Sequence, residues 1–130
     1  MAKKKRRAPV NKMTTDFCKK NGWLVDRTER WVPYQKITKD LFGFIDFVAL
    51  RPDVQGVLAI QTTTFSNRLA RVEKIRDACK EEAEQWLRCG NQIQVWGWRR
   101  PTKTLRTWKL AVVDVQLSGT KLVSIDRWKA

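Results

Sequence analysis

Apolar positions along this chain fall into short blocks whose period changes from block to block. In NKMTTDFCKKN, Asn11 to Asn21, Met13, Phe17 and Cys18 recur at helical spacing and Asn-Gly follows, which predicts a short helix with a glycine stop. Trp23 to Val32, WLVDRTERWV, alternates in part and is rich in β-formers until Pro33, so a strand or a bent strand is expected. GFIDFVAL and VLAIQTTT are apolar runs joined by RPDVQG, whose Pro and Gly mark a turn. They predict an antiparallel hairpin, and apolar residues on both faces place it centrally in a sheet, covered on two sides.

From Asn67 the period becomes helical. Leu69, Val72, Ile75, Cys79, Trp86 and Leu87 form roughly one stripe, predicting a helix over Asn67 to Cys89 with Ser66 as its cap and Gly90 as its stop. The polar stretch KIRDACKEEAEQ is where this helix would break. QIQVWGW and RTWKLAVVDVQ then read as strands paired across the loop RRPTKT, with a last short strand over Lys121 to Ile125. Helix, three strands, helix and two or three strands give an α/β (α+β) fold with a mixed central sheet flanked by helices. The chain of 130 residues suits one domain, 11–130, behind a flexible basic tail, 1–10.

Charge and composition narrow the function classes. There are 27 Lys and Arg against 13 Asp and Glu, a net charge of +14, and without the five cations of Lys3 to Arg7 the body still carries +9. A field of that sign attracts polyanions, nucleic acid first and an anionic membrane surface second. No basic amphipathic helix with a broad apolar face stands out, and the apolar run from Leu41 to Leu50 is far short of the ~20 residues of a membrane span. The basic N-terminus is not followed by the apolar region of a secretory signal, so an intracellular, cytoplasmic protein is expected. Cys18, Cys79 and Cys89 are odd in number and lack paired spacing, which predicts reduced thiols. With no His, a zinc finger, a Ser-His-Asp triad and His-based nucleases lack their essential residue. The glycines form neither GxGxxG nor GxxxxGK[ST].

Asp46 stands out against this background. On an alternating strand Phe44, Asp46, Val48 and Leu50 share one side, and Ala59, Gln61 and Thr63 share one side of the next strand. A carboxylate on a buried strand is costly unless it is paired, hydrogen-bonded or bound to a metal. Two readings follow: a satisfied structural Asp holding Arg or backbone amides, or a ligand for a hard divalent cation. Asp40 or Glu29 could complete an acidic cluster with Asp46, although Asp40 before a Gly-containing segment is equally a turn residue.

GFIDFVAL…GVLAIQTTT, followed by SNRLARVEKI and then IQVWGW, resembles the core of the PD-(D/E)XK nuclease superfamily. The likeness is to small phage-type members and to Holliday-junction resolvase-like and VRR-NUC-like domains. It covers about Thr14 to Trp98 and implies a restriction-endonuclease-like αβββαβ core. It also implies Mg²⁺ or Mn²⁺ as cofactor, phosphodiester hydrolysis of branched or structured DNA, and a symmetric homodimer. Asp46 matches the family's Asp, while Gln61 falls where its Glu is expected and Thr63 where its Lys is expected. The implied metal ligands are Asp46, Gln61, the Thr62 carbonyl and Asp40, with Lys74 on the following helix as a substitute cation. Gln61 still offers a carbonyl oxygen but removes one unit of negative charge, and Thr63 cannot supply positive charge to a developing anion.

Candidate nucleic-acid contacts are Lys39, the helix residues Arg68, Arg71 and Lys74 at three-residue intervals, and Arg99, Arg100 and Lys103 after the Trp-rich strand. Each helix cation is equally a solvated surface charge. Trp96, Trp98 and Trp108 either stack on unpaired bases or pack on the sheet, the second being the more ordinary arrangement. Three functions are carried forward: a metal-dependent deoxyribonuclease, a DNA-binding module of the same fold without the reaction, and a basic structural or interaction subunit packed against DNA, RNA or an acidic partner.

Overall fold

The computed structural model describes residues 9–129, the last two as backbone, so the basic tail lies outside the described residues up to Ala8. Eight strands and three helices follow one another as α1 (Val10–Lys20), β1 (Leu24–Arg27), β2 (Arg30–Val32), β3 (Ile37–Lys39), β4 (Phe47–Arg51), β5 (Val54–Thr64), α2 (Arg68–Asp77), α3 (Lys80–Arg88), β6 (Gln92–Arg99), β7 (Lys109–Ser118) and β8 (Lys121–Lys129). Six strands form one mixed sheet in the order β1-β4-β5-β6-β7-β8. Every neighbouring pair is antiparallel except β5 and β6, which run parallel with Leu58 opposite Gln92 and Thr64 opposite Trp98. A parallel pair needs a crossover. Here α2 and α3 supply it.

The two sheet faces carry separate cores. Ala59, Ile93, Val95, Val113 and Val115 meet Val72, Ile75 and Ala83 of the crossover helices on one face. Phe47, Ala49, Leu58, Ile60, Trp96, Trp98, Leu110 and Val112 meet Cys18 and Phe17 of α1 on the other. Coverage on both faces explains why β5 reads as a nearly continuous apolar run. No described helix is long and apolar enough to cross a membrane.

A chain of hydrogen bonds clamps α1 to the sheet. Buried Trp98 donates its indole N–H to Thr14 Oγ1 at 3.0 Å, and the Thr14 and Thr62 hydroxyls lie 2.7 Å apart. Trp96 and Trp98 are therefore core residues, each edge-on to Phe17. On the other face Gly97 lets the chain after β5 come close. A Cβ there would stand 3.0 Å from Arg68 Cβ and 3.2 Å from Phe65 Cα.

Several expected boundaries shift for local reasons. The expected tail loses Val10 to the first turn of α1. The bent strand is two strands: β1 joins the main sheet, whereas β2 turns back at Pro33 to pair only with β3. The crossover breaks at Ala78 and Cys79, within the polar stretch, and Ser66 caps neither half. The last strand runs on to Lys129 because β7 offers it a full edge. β4 begins at Phe47 rather than at Phe44, and a register shift between Ala49 and Arg51 leaves Leu50 exposed. Asp46 thus sits one residue before its strand.

Thr14→Val keeps the side-chain shape but leaves the buried Trp98 N–H and the Thr62 hydroxyl without their partner. It should lower unfolding free energy by about 1–3 kcal/mol, read from chemical denaturation.

Candidate metal centre

The turn before β4 brings two acids face to face. Leu41 and Ile45 form an isolated antiparallel bridge, and Phe44 donates its amide to the Leu41 carbonyl at 3.2 Å. Continuing that pairing outward by one residue sets Asp40 opposite Asp46. The tight reversal needs two left-handed residues, Gly43 at φ +83° and Phe42 at φ +54°. A bulky residue in that region is strained. The strain is local to the segment that sets the acids opposite each other.

A third carboxylate arrives from the end of β1. Thr28 donates its amide to the Asp46 carbonyl at 2.8 Å and its hydroxyl to the Ile45 carbonyl at 2.7 Å. Glu29 follows directly. One carboxylate oxygen each from Glu29, Asp40 and Asp46 lie within 4.8 Å of one another. At an effective dielectric of ~20, two bare carboxylates that close repel by about 3–4 kcal/mol. Such a trio needs a proton or a cation.

β5 provides the remaining pieces. Asp46 donates its backbone amide to the Ile60 carbonyl at 3.0 Å, and its Oδ2 accepts the Thr62 amide at 2.9 Å. The carboxylate thereby continues the β5 ladder just where β4 has not yet begun. The carbonyl of a strand residue points to the same neighbour as its amide, so the Thr62 carbonyl lies on the Asp46 side. The β4–β5 register ends at Phe47 opposite Ile60, and Gln61 follows next along β5 on the face of Ala59. Gln61 is 2% exposed, and its Oε1 is a buried oxygen with no hydrogen-bond partner. An unsatisfied buried acceptor of this kind is rare. Thr63 follows on the same face, opposite Gly97, and brings no charge.

Two cations border the acids. Lys74 of α2 places Nζ 3.8 Å from Asp40 Oδ2, and Arg27 pairs with Glu29 at 3.0 Å. Neither ion-pairs with Asp46, which is 6% exposed. Burial, a hydrogen bond and repulsion from Asp40, and repulsion from Glu29 push its carboxyl up to about 8, against the opposing pull of the Thr62 amide. Crowding of the acids thus favours a proton shared within the hydrogen-bonded Asp40–Asp46 pair when no cation is bound. The donor set is oxygen only, three carboxylates and a neutral amide, which fits a hard divalent cation such as Mg²⁺ or Mn²⁺ and gives nothing to a thiolate- or imidazole-seeking one.

The basic candidates divide into two groups. Arg68 is engaged within the fold: it makes a two-pronged pair with Asp126, donates to the Phe65 carbonyl and lies over the Phe65 ring at 3.8 Å. Its guanidinium is thus held between β8 and the Phe65 turn. Arg71 and Lys74 flank the buried Val72–Ile75 stripe. Arg99 lies 5.6 Å from the Phe65 ring and Arg100 lies 5.6 Å from the Trp108 ring, while Arg100, Lys103 and Lys39 are exposed.

Topology collects charge at one edge. The ends of β1 and β6, the start of β7, the first turn of α1 and the Asp46 turn all lie at the Thr64 end of β5. Arg99, Arg100, Lys103, Arg106 and Lys109 cluster in sequence there. The α3 helix leads to Gln92 at the opposite end and carries Glu81, Glu82 and Glu84. The acids of the centre thus sit at the cationic pole.

Sequence reasoning placed Asp46, Gln61, Asp40 and Glu29 as candidates, and the fold brings Glu29, Asp40 and Asp46 into one cluster with Gln61 buried on the neighbouring strand. It did not foresee the Asp40–Asp46 opposition, whose signal was the Phe-Gly pair between two short apolar steps.

A raised carboxyl makes stability fall as pH rises from the unfolded value near 4 to about 8, because the folded state alone keeps the proton over that window. Asp46→Asn should flatten this dependence. Without metal it should melt several degrees above the parent at pH 8 and closer to it at pH 5, as measured by calorimetry. Compared with family models, curated proteins and solved structures, the chain finds no match in any of the three.

Proposed function

We propose that this protein is a divalent-metal-dependent nuclease that hydrolyses DNA phosphodiester bonds. The observation that carries the reading is the oxygen cluster of Glu29, Asp40 and Asp46, with the unsatisfied Gln61 Oε1 on the neighbouring strand β5. The resemblance to the PD-(D/E)XK superfamily supports it: helix, antiparallel strands, crossover helices and a parallel strand follow in that order here, with the added hairpin β2–β3.

Glu29, Asp40 and Asp46 would hold the cation, with Gln61 as a neutral donor. A cation held there supplies Lewis acidity toward a phosphoryl oxygen and acidifies a bound water. The Thr62 amide fixes the Asp46 carboxylate in place as a ligand. Lys74, not Thr63, brings positive charge to the rim of the cluster, where negative charge would develop on the phosphate. Arg71, Arg99, Arg100 and Lys103 would hold the flanking backbone through phosphate contacts.

A second reading has its own support. Gln61 and Thr63 are neutral where the family uses Glu and Lys, which favours a DNA-binding module that keeps the fold without the reaction.

Incubation with junction, duplex and single-stranded DNA in Mn²⁺ separates the two. The nuclease reading expects cleavage that falls to background in Asp46→Ala and drops at least tenfold in Lys74→Ala; cleavage unchanged in Asp46→Ala would be contamination and would sink it. Salt-sensitive binding without cleavage, not restored by Gln61→Glu with Thr63→Lys, would establish the binding module.

Gln61→Glu alone adds a fourth carboxylate. The metal-free protein should melt a few degrees lower. Its Mn²⁺ affinity, read by isothermal titration, should rise on the order of tenfold because ligand charge sets cation affinity in such oxygen sites.

A further inference from the structure

The hairpin β2–β3 has no place in the main sheet. Its two roots are the residues on either side of it, Glu29 and Asp40, so it grows directly out of the acidic cluster. Nothing in the domain core requires it. Trp31 is 60% exposed and Tyr34, at the turn, is 99% exposed. An indole and a phenol thus stand in water on a two-stranded ribbon, their ring faces open to a planar partner.

Its charges indicate what that occupant is. Arg30 stands directly opposite Lys39, and Trp31 directly opposite Thr38. Like charges paired across strands destabilise a hairpin. An anion bridging them reverses the sign. Lys36 adds a third cation at the turn, in a left-handed conformation at φ 49°. Between Glu29 and Asp40 no acidic residue occurs. The hairpin therefore carries aromatic rings and cations on one acid-free ribbon, Trp31 on one face and Arg30 with Lys39 on the other, the residue types that bind unpaired nucleotides by stacking and phosphate contact.

We infer that β2–β3 is an arm that engages unpaired bases beside the site of reaction, with Trp31 and Tyr34 as stacking platforms and Arg30, Lys39 and Lys36 holding the phosphates. The arm gives this protein its preference for DNA with single-stranded or splayed segments over uninterrupted duplex. From root to turn it spans about four residues, roughly 13 Å at strand rise, the length of three to four stacked nucleotides. This inference rests on the nucleic-acid part of the function proposed above but not on cleavage.

Binding is measured by fluorescence anisotropy without divalent metal, using labelled single-stranded, four-way-junction and duplex DNA of mixed sequence over a range of salt. Trp31→Ala with Tyr34→Ala should weaken single-strand and junction binding about tenfold or more and duplex binding less than about twofold, with Trp31→Phe restoring most of the loss. Arg30→Gln with Lys39→Gln should weaken all three and lower the salt slope by about two. Circular dichroism and sedimentation are run on each variant. In the aromatic variant, equal loss on all three DNAs, or none, overturns the arm. So does a parent dimer that the aromatic variant makes monomeric, since the hairpin is then a self-association surface. A parent that binds no DNA removes both proposals, whereas selective binding without Mn²⁺-dependent cleavage leaves the arm standing and removes the nuclease.

Discussion

The hydrogen bond from the Thr62 amide to Asp46 is the contact on which the rest of the centre depends. Asp46 is buried, close to two other carboxylates and without a salt bridge, so the peptide N–H of β5 is its firmest favourable partner. Thr62 is itself fixed from the opposite face, where its hydroxyl meets Thr14 and, through it, the Trp98 indole. One residue of β5 thus links the α1-side core to the acids on the crossover side. A shift of that strand by one residue would turn Gln61 and Thr63 away from the acids and carry Thr62 to them.

The centre is built from groups that oppose one another. Asp40 faces Asp46 across a turn that strains Phe42, and Glu29 joins them at the end of β1. A fold optimised for stability alone would not set three carboxylates and an unsatisfied amide oxygen together. The hairpin repeats the pattern in the opposite sign, with Arg30 facing Lys39 a single residue from Glu29 and Asp40. Pairs of like charge, one acidic and one basic, thus stand next to each other.

The global field has the same orientation. α3 takes Glu81, Glu82 and Glu84 to one end of the sheet, while the segment from Arg99 to Lys109 brings five cations to the other, where the acids lie. Under the proposed function, a polyanion drawn to the positive end would arrive at the carboxylates.

The sequence by itself determined the elements and named the residues of the acidic cluster as candidates. Periodicity located α1, the β4–β5 hairpin, the broken crossover and β6–β8, because burial on one or two faces leaves a direct trace in where apolar residues recur. The isolated Asp46 and the Gln61–Thr63 parity were legible for the same reason. Tertiary structure decided the rest. Whether Trp96 and Trp98 were core or surface depended on α1 reaching them with Phe17 and Thr14, and whether Arg68 was free depended on Asp126, fifty-eight residues away in β8. The convergence of Glu29, Asp40 and Asp46, and the exile of β2–β3 from the sheet, follow from turns and pairings between distant segments. Side-chain period records which face a residue takes, but not which neighbour the folded chain brings to it.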